Sequence, residues 1–151
     1  MRIGDLVEGQ SLSPALIQPH NTIGDASRLM AQFHIGLLIV VDEEQKIAGV
    51  LSERDMALAL GKTDENLAHA KVGDLMTKQV ITCDPDESVV DAVYVMNKGR
   101  FRHLVLARDH KPVGVISMRD VLRQIEPLLE ESKTKGDEQK LLEFLGALKA
   151  A

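Results

Sequence analysis

The chain of 151 residues contains one cysteine, no tryptophan and only 3% aromatic residues. A single cysteine excludes an internal disulfide and is typical of a reducing compartment, so we expect a cytoplasmic protein. Because aromatics are scarce, the core must be aliphatic, and the hydrophobic content of 44% is sufficient to form one. Acidic residues outnumber basic ones by 23 to 18 and no basic stripe is present, so nucleic acid is not an expected partner.

Long apolar runs are also missing. No stretch approaches the roughly 18 apolar residues of a membrane-spanning helix, so no membrane association is expected. The N-terminal sequence MRIGDLVEGQ lacks the apolar core of a signal peptide. The histidines are scattered without metal-ligand spacing, so we predict no metal site and no resident cofactor. Cys83 ends the segment 80–82, and we interpret it as a core or strand residue rather than a reactive thiol.

One short motif occurs twice, as GVLSERDM at residues 49–56 and as GVISMRDV at residues 114–121. Each copy predicts a β-strand that runs into a helix with a serine N-cap. The free backbone N–H groups and the dipole at such a helix start favour an anion, and the serine and arginine add donors for a phosphate. The aspartate only accepts hydrogen bonds, which suits a ribose diol. These residues are Ser52, Arg54 and Asp55 in the first copy and Ser117, Arg119 and Asp120 in the second.

The two motifs belong to a longer internal repeat. The sequence IGDLV at residues 3–7 matches VGDLM at residues 72–76. Each repeat then predicts an extended segment (15–17 or 80–82), a helix with a capping box, a buried strand, a second strand and a final helix. We therefore predict an α/β (α+β) fold of two βαββα repeats. Repeat one is residues 1–61, the linker is 62–71, and repeat two is 72–125.

A single repeat of about 60 residues is marginal for independent stability. We therefore expect the repeats to pack sheet against sheet with pseudo-twofold symmetry. Residues 126–151 predict a C-terminal helical extension, which Gly136 interrupts and whose later part has leucines on one face. Two interpretations of this extension remain open, a helix folded back on its own chain and a dimer contact.

The element order, the duplication and the motif G-h-h-S/T-x-x-D resemble the cystathionine β-synthase (CBS) domain, here as a tandem pair or Bateman module. The resemblance covers residues 1–125, and GRFRHL at residues 99–104 is similar to bacterial stand-alone members. It implies a non-catalytic regulatory or sensor module that binds AMP, ADP, ATP or NAD in clefts between the repeats. It also implies a homodimer and a downstream protein partner whose identity is unknown.

The resemblance also implies roles for individual residues. Aspartates of the motif hold ribose, and motif serines meet phosphate beside a variable position that is arginine here. Basic residues before the core strand reach phosphate, and the extended segment contacts adenine through its backbone. Carried over, ribose falls to Asp55 and Asp120, phosphate to Ser52, Arg54, Ser117, Arg119, Arg102 and His103, and adenine to Leu16, Ile17, Ile81 and Thr82.

The repeats differ where Arg102 and His103 of repeat two align with Gly36 and Leu37 of repeat one. We therefore predict that the cleft formed with the repeat-two motif binds phosphate-bearing nucleotides more tightly. Because the two clefts share walls, crossed contacts stay open, and Arg102 could reach the neighbouring site. A histidine at the start of a strand is also often a structural group, and that interpretation of His103 stays open.

The alternative function is a dimerisation or scaffold protein with vestigial clefts. A small nucleotide-processing enzyme would need a nucleophile next to a base, and no spacing in the chain indicates such a pair. We therefore do not expect an enzyme.

Overall fold

The computed structural model describes residues 2–8, 15–62, 66–123 and 126. In repeat one the elements are a 3-10 turn Ile3–Leu6, β1 Leu16–Ile17, α1 Ile23–Phe33, β2 Leu37–Val41, β3 Ile47–Ser52 and α2 Glu53–Leu60. A 3-10 turn Leu67–His69 follows. Repeat two has α3 Val72–Leu75, β4 Thr82–Cys83, α4 Val89–Gly99, β5 His103–Arg108 and β6 Lys111–Ser117, after which residues 118–123 are helical.

The strands form two three-stranded sheets of order β1-β2-β3 and β4-β5-β6. In each sheet the first strand is parallel to the central one and the last is antiparallel to it. The registers correspond, because Leu37 is opposite Ser52 in one sheet and His103 is opposite Ser117 in the other. This architecture confirms the predicted fold class and the duplicated unit.

The central strand β2 is buried on both faces, which explains its continuous apolar sequence. Leu38 and Val40 pack against the helix side of repeat one, whereas Ile39 and Val41 pack with Val105 of the other sheet. The sheets therefore pack face to face as predicted. The described part of the chain has three aliphatic clusters, one between the sheets and one under the helices of each repeat.

The first turn of each repeat lies in the other repeat. Ile3 is fully buried in the helix-side core of repeat two, and Val72 is fully buried in that of repeat one. Their backbone N–H groups donate to the carbonyls of Glu87 and Asn21, each at 2.9 Å. The repeats thus exchange their first elements.

The glycine that opens each motif makes room for this exchange. A Cβ on Gly49 would lie 2.7 Å from Sδ of Met76 and 2.9 Å from the carbonyl oxygen of Thr77, and one on Gly114 would lie 2.9 Å from Cγ2 of Val7. Real Cβ atoms do not approach neighbours so closely. The motif glycine is therefore required by the segment that crosses over from the other repeat.

Part of the segment predicted as a linker packs on repeat one. The 3-10 turn at residues 67–69 lies against α1, and the N–H of Ile23 donates to the carbonyl of Ala70 at 2.9 Å. In repeat two only Thr82 of the segment predicted to be extended belongs to β4. Apart from residue 126, the C-terminal extension at 126–151 lies outside the described residues.

Cys83 is 5% exposed and belongs to the core of repeat two, which confirms its interpretation as a core residue. Burial raises the pKa of its thiol to about 12, and the nearby Glu87 carboxylate acts in the same direction. The thiol is therefore protonated at neutral pH. Among the described residues, no helix combines the length and the apolar character needed to cross a membrane.

Candidate ligand clefts

Each repeated motif is first of all a helix cap. The N–H of Ser52 donates to Oδ2 of Asp55 at 2.8 Å, and the N–H of Asp55 donates to Oγ of Ser52 at 3.2 Å. Ser117 and Asp120 form the same pair of bonds at 2.7 and 3.3 Å. This reciprocal capping box starts the helix directly at the end of the strand.

A capping box alone does not identify a ligand site. Thr22 and Asp25 form an equivalent box at the start of α1, where the bond from the Thr22 backbone is the largest influence lowering the pKa of Asp25 to about 2. Neither residue lines a described cleft. The boxes that start with Ser52 and Ser117 differ because each borders a large cleft.

We call the first of these the Asp55 cleft, which has a volume of about 670 Å³. One wall carries the repeat-one motif. The other walls come from repeat two, from the segment before β4 and the segment before β5. Its lining includes Ser52, Glu53, Arg54, Asp55, Val80, Ile81, Arg100, Phe101, Arg102 and His103.

We call the second the Asp120 cleft, which has a volume of about 570 Å³. It carries the repeat-two motif and the segment of repeat one that precedes β2. Its lining includes Ala15, His34, Gly36, Leu37, Ser117, Arg119, Asp120 and Arg123. Each cleft therefore joins the motif of one repeat to the strand starts of the other.

Five residues line both clefts, and we call them the shared wall: Gly36, Leu37, Glu53, Arg102 and His103. Gly36 and Arg102 are structurally equivalent, since their carbonyls accept the N–H bonds of Glu53 and Met118, at 3.1 and 2.8 Å. The prediction of tighter phosphate binding with the repeat-two motif was argued from Arg102 and His103. Both face both clefts, so they give no reason for tighter phosphate binding in one of them.

The sequence model of the CBS domain matches residues 10–62 and 72–127. The chain belongs to the CBS domain family. Its two matches make it a CBS domain pair, a regulatory module, and no family of enzymes is detected in it.

Relatives and solved structures agree with this assignment. The mitochondrial CBS domain-containing protein CBSX3 of Arabidopsis thaliana is 34% identical over 109 residues, which are 70% of this chain and 53% of the relative. The chain thus spans about half the length of that relative. A CBS-domain containing protein from Agrobacterium tumefaciens superposes with a TM-score of 0.76 at 26% identity, covering 82% of this chain and 98% of that one.

A further solved structure contains ligands. It is the CBS domain pair of protein MJ0100 in complex with 5′-methylthioadenosine and S-adenosyl-L-methionine. Its TM-score is 0.72 at 25% identity, with 83% of this chain and 99% of that chain covered.

The CBS pair brings together most of the residues that the sequence nominates. The Asp55 cleft combines Ser52, Arg54, Asp55 and Ile81 with Arg102 and His103, and the Asp120 cleft combines Ser117, Arg119 and Asp120 with the same pair.

Three nominated adenine contacts line neither described cleft. Ile17 is 5% exposed in the core of repeat one, Leu16 packs between the sheets, and Thr82 pairs with Val105 in the sheet. The fourth nominated residue, Ile81, lines the Asp55 cleft, and Ala15, directly before β1, lines the Asp120 cleft. The side chains of the short strands themselves are committed to sheet and core, so the residue before each strand is the one at the cleft.

Sequence reasoning missed several cleft residues, among them Glu53, Val80, Phe101 and Arg123. His34 and Arg100 occupy matching positions in the two repeats. Both are left-handed C-caps, with φ of 53° and 56°. Each also lines a cleft, because the cap directs the chain from the helix into the start of the central strand.

His103 lies where charges of both repeats meet. Burial lowers the pKa of its imidazole and the Arg102 guanidinium acts in the same direction, against the carboxylates of Asp120 and Glu53, which raise it. The imidazole is therefore mostly neutral at pH 7. A neutral imidazole can donate from one nitrogen and accept at the other.

Proposed function

We propose that this CBS pair is a non-catalytic regulatory module that binds an adenosine-containing ligand, AMP, ADP, ATP or NAD, in its two clefts. The observation that carries the proposal is the same in both clefts. A motif aspartate stands beside arginines and a helix start, opposite a wall from the other repeat. Volumes of about 570 and 670 Å³ lie within the 300–1,000 Å³ typical of small-molecule sites.

The polar half of each cleft suits a ribose phosphate. Oδ2 of Asp55 is used by the cap, but a carboxylate has about four acceptor positions, so capacity remains for a ribose diol. Arg54 and Arg102 supply guanidinium donors in the same cleft, and such charge-assisted bonds to phosphate are among the strong ones. We assign ribose to Asp55 and Asp120. We assign phosphate to a set of serines and basic residues: Ser52, Arg54, Ser117, Arg119, Arg102 and His103. The hydroxyls of Ser52 and Ser117 donate to Oδ2 of Asp55 and Asp120 at 2.7 and 2.6 Å, so each must turn away from its aspartate to donate to a phosphate.

The apolar half of the Asp55 cleft suits a purine base. Val80, Ile81 and Phe101 line it, and Ile81 leaves 53% of its surface exposed. A large apolar side chain exposed next to polar groups in a concave site is typical of a ligand-binding surface. The adenosine compounds bound by the MJ0100 CBS pair support this ligand class.

Ligand binding is tested first by thermal unfolding with AMP, ATP and NAD. A ligand at 100 times its dissociation constant should stabilise the protein by about 2.7 kcal/mol. Asp55→Ala and Asp120→Ala should each remove one binding site in calorimetry. Asp25→Ala is the matched control, because it breaks a capping box that lies outside both clefts. Absence of any shift at millimolar nucleotide would favour a scaffold with vestigial clefts.

Lack of catalysis is a separate part of the proposal. Nucleotide recovered by chromatography after prolonged incubation should be unchanged. Turnover of a bound nucleotide would show an enzyme instead.

The module is also proposed to form a homodimer in the cytoplasm and to signal to a protein partner. Helix α2 has no buried residue, and its Leu58 and Leu60 are 52% and 63% exposed. Phe33 of α1 and Tyr94 of α4 are exposed as well. We call the exposed side chains of these three helices, Phe33, Leu58, Leu60 and Tyr94, the helical surface. Exposed apolar side chains of this kind favour association with a second copy of the chain.

A further inference from the structure

The shared wall makes the two clefts physical neighbours. The residues that line both are contributed by the starts of β2 and β5 and by the first residue of α2. Across this wall the repeats are unequal, because repeat two supplies the cation Arg102 where repeat one has Gly36. Arg102 therefore lines two candidate sites for anions, and its exposed side chain can offer the guanidinium to either.

We propose that Arg102 couples the clefts negatively, so that a phosphate-bearing ligand in one cleft weakens the binding of a second in the other. The inference rests on the proposed function and concerns how the two sites regulate each other.

The reason is competition for a single donor group. A guanidinium binds phosphate best through a pair of parallel N–H bonds, and that pair serves one phosphate. A second phosphate is left with weaker, single bonds from the remaining N–H donors. The other charged groups of the wall do not replace it. Glu53 repels an anion in either cleft, and His103 is mostly neutral at pH 7, with Asp120 and Glu53 beside it.

The coupling is measured by calorimetry with the full chain. The wild type yields two dissociation constants for AMP, while Asp55→Ala and Asp120→Ala each report one cleft with the other vacated. The wild-type product of constants, divided by the product from the two variants, is the coupling factor. We expect a coupling factor of about ten for AMP. With both clefts occupied, one of the two ligands lacks its strong hydrogen bond to Arg102, and the loss of one such bond weakens binding about tenfold.

Two comparisons make the test specific to charge and to Arg102. Adenosine has no phosphate, so its coupling factor should be about one. Arg102→Ala should weaken AMP in both clefts and bring the factor to within about twofold of one, the range of independent sites. Arg102 is exposed, so its removal should not unfold the protein. Arg28→Ala, which removes an arginine outside both clefts, should leave the factor unchanged.

The possible outcomes are distinct. A factor near one for AMP, a factor below one, or a factor that survives in Arg102→Ala overturns the inference while the proposed function stands. The inference is also overturned if a variant with a single intact cleft, Asp55→Ala or Asp120→Ala, binds adenosine but no AMP. If neither AMP nor adenosine binds the wild type, the proposed function itself fails. If Asp55→Ala does not fold, Ile81→Trp is used in its place, because the tryptophan fills the Asp55 cleft. If Asp120→Ala does not fold, Ala15→Trp fills the Asp120 cleft in the same way.

Discussion

The backbone N–H of Ile3 donates to the carbonyl of Glu87 at 2.9 Å, which fixes the first turn of repeat one inside repeat two. Val72 makes the reciprocal bond to Asn21. Each repeat therefore completes the core of the other, and the clefts between them are held by exchanged elements as well as by the packing of the two sheets.

This exchange predicts that the CBS pair unfolds as one unit. Ile3→Ala should cost about 2–5 kcal/mol of unfolding free energy, because Ile3 is fully buried. The loss should appear as a single urea transition at a lower midpoint, observed alike by far-UV circular dichroism and by a probe in either repeat. Val113→Ala, at a side chain 40% exposed, is the control and should change little. Two separate transitions would show that the repeats fold independently.

Ligands with and without a phosphate should distinguish the polar half of the Asp55 cleft from its apolar half. Ile81→Ala removes apolar contact with the base, so adenosine and AMP should both lose about fivefold in affinity, near 1 kcal/mol. Arg102→Ala should weaken AMP by about tenfold or more and adenosine hardly at all, since only AMP carries the phosphate. Calorimetry with the two ligands on both variants gives the four values. Equal losses of AMP and adenosine in Arg102→Ala would show that the guanidinium does not meet phosphate.

Structural features that depend on residues close together in the chain can be predicted from the sequence, whereas contacts between residues far apart in the chain cannot. Capping boxes, buried strands and the duplicated motif are local patterns, and the helix at Glu53 and the strand at Leu37 follow from them. The crossing of Ile3 into the other repeat depends on residues far apart in the chain, which no local period encodes. The signals that could have indicated it are Gly49 and Gly114, glycines inside strands where a backbone or side chain must approach closely.

The cleft walls show the same limit. The motif residues were nominated correctly as neighbours, because strand and helix meet there. The pairing of Asp55 with Arg100 and Phe101 of the other repeat follows only from the packing of the two sheets. For the same reason the sequence places Arg102 and His103 next to β5 but does not decide which cleft they face, and in the structure they line both.

The thiol of Cys83 should be unreactive in the folded protein. Burial raises its pKa to about 12, so almost no thiolate is present at pH 8. Labelling with a thiol reagent should therefore be slow in buffer and rapid in 6 M guanidinium chloride. Nucleotide that stabilises the fold should slow labelling further. Immediate labelling of native protein would show that the core of repeat two opens readily.

The helical surface should determine assembly. Leu58→Glu places a charge on α2 at a side chain 52% exposed, so it should shift a dimer towards the monomer with little change in unfolding. Light scattering at micromolar concentration gives the mass. Val113→Glu is the matched control, because Val113 is exposed on β6 rather than on a helix. A wild-type monomer, or a dimer that Leu58→Glu leaves intact, would contradict an interface at α2.

The stability of the pair should depend on pH through His103. Its imidazole has an ordinary pKa of 6.5 when unfolded and a lower one when folded, chiefly because it is buried. Between these two values the unfolded chain binds more protons than the folded one, so unfolding free energy rises with pH. The contribution of His103 is therefore complete above pH 6.5 and is lost as pH falls below 6.5 towards the folded-state pKa.

The variant His103→Gln keeps a polar side chain at the shared wall but cannot titrate. Urea midpoints measured from pH 7.5 down to pH 5 should fall more steeply for the wild type than for His103→Gln. The other four histidines are common to both proteins and cancel in the difference between the two curves. AMP should reduce the difference, because phosphate in either cleft stabilises the imidazolium that acid creates. Parallel curves would mean that His103 has the same pKa in the folded and unfolded chain, and a steeper fall for the variant would mean that the sign is reversed.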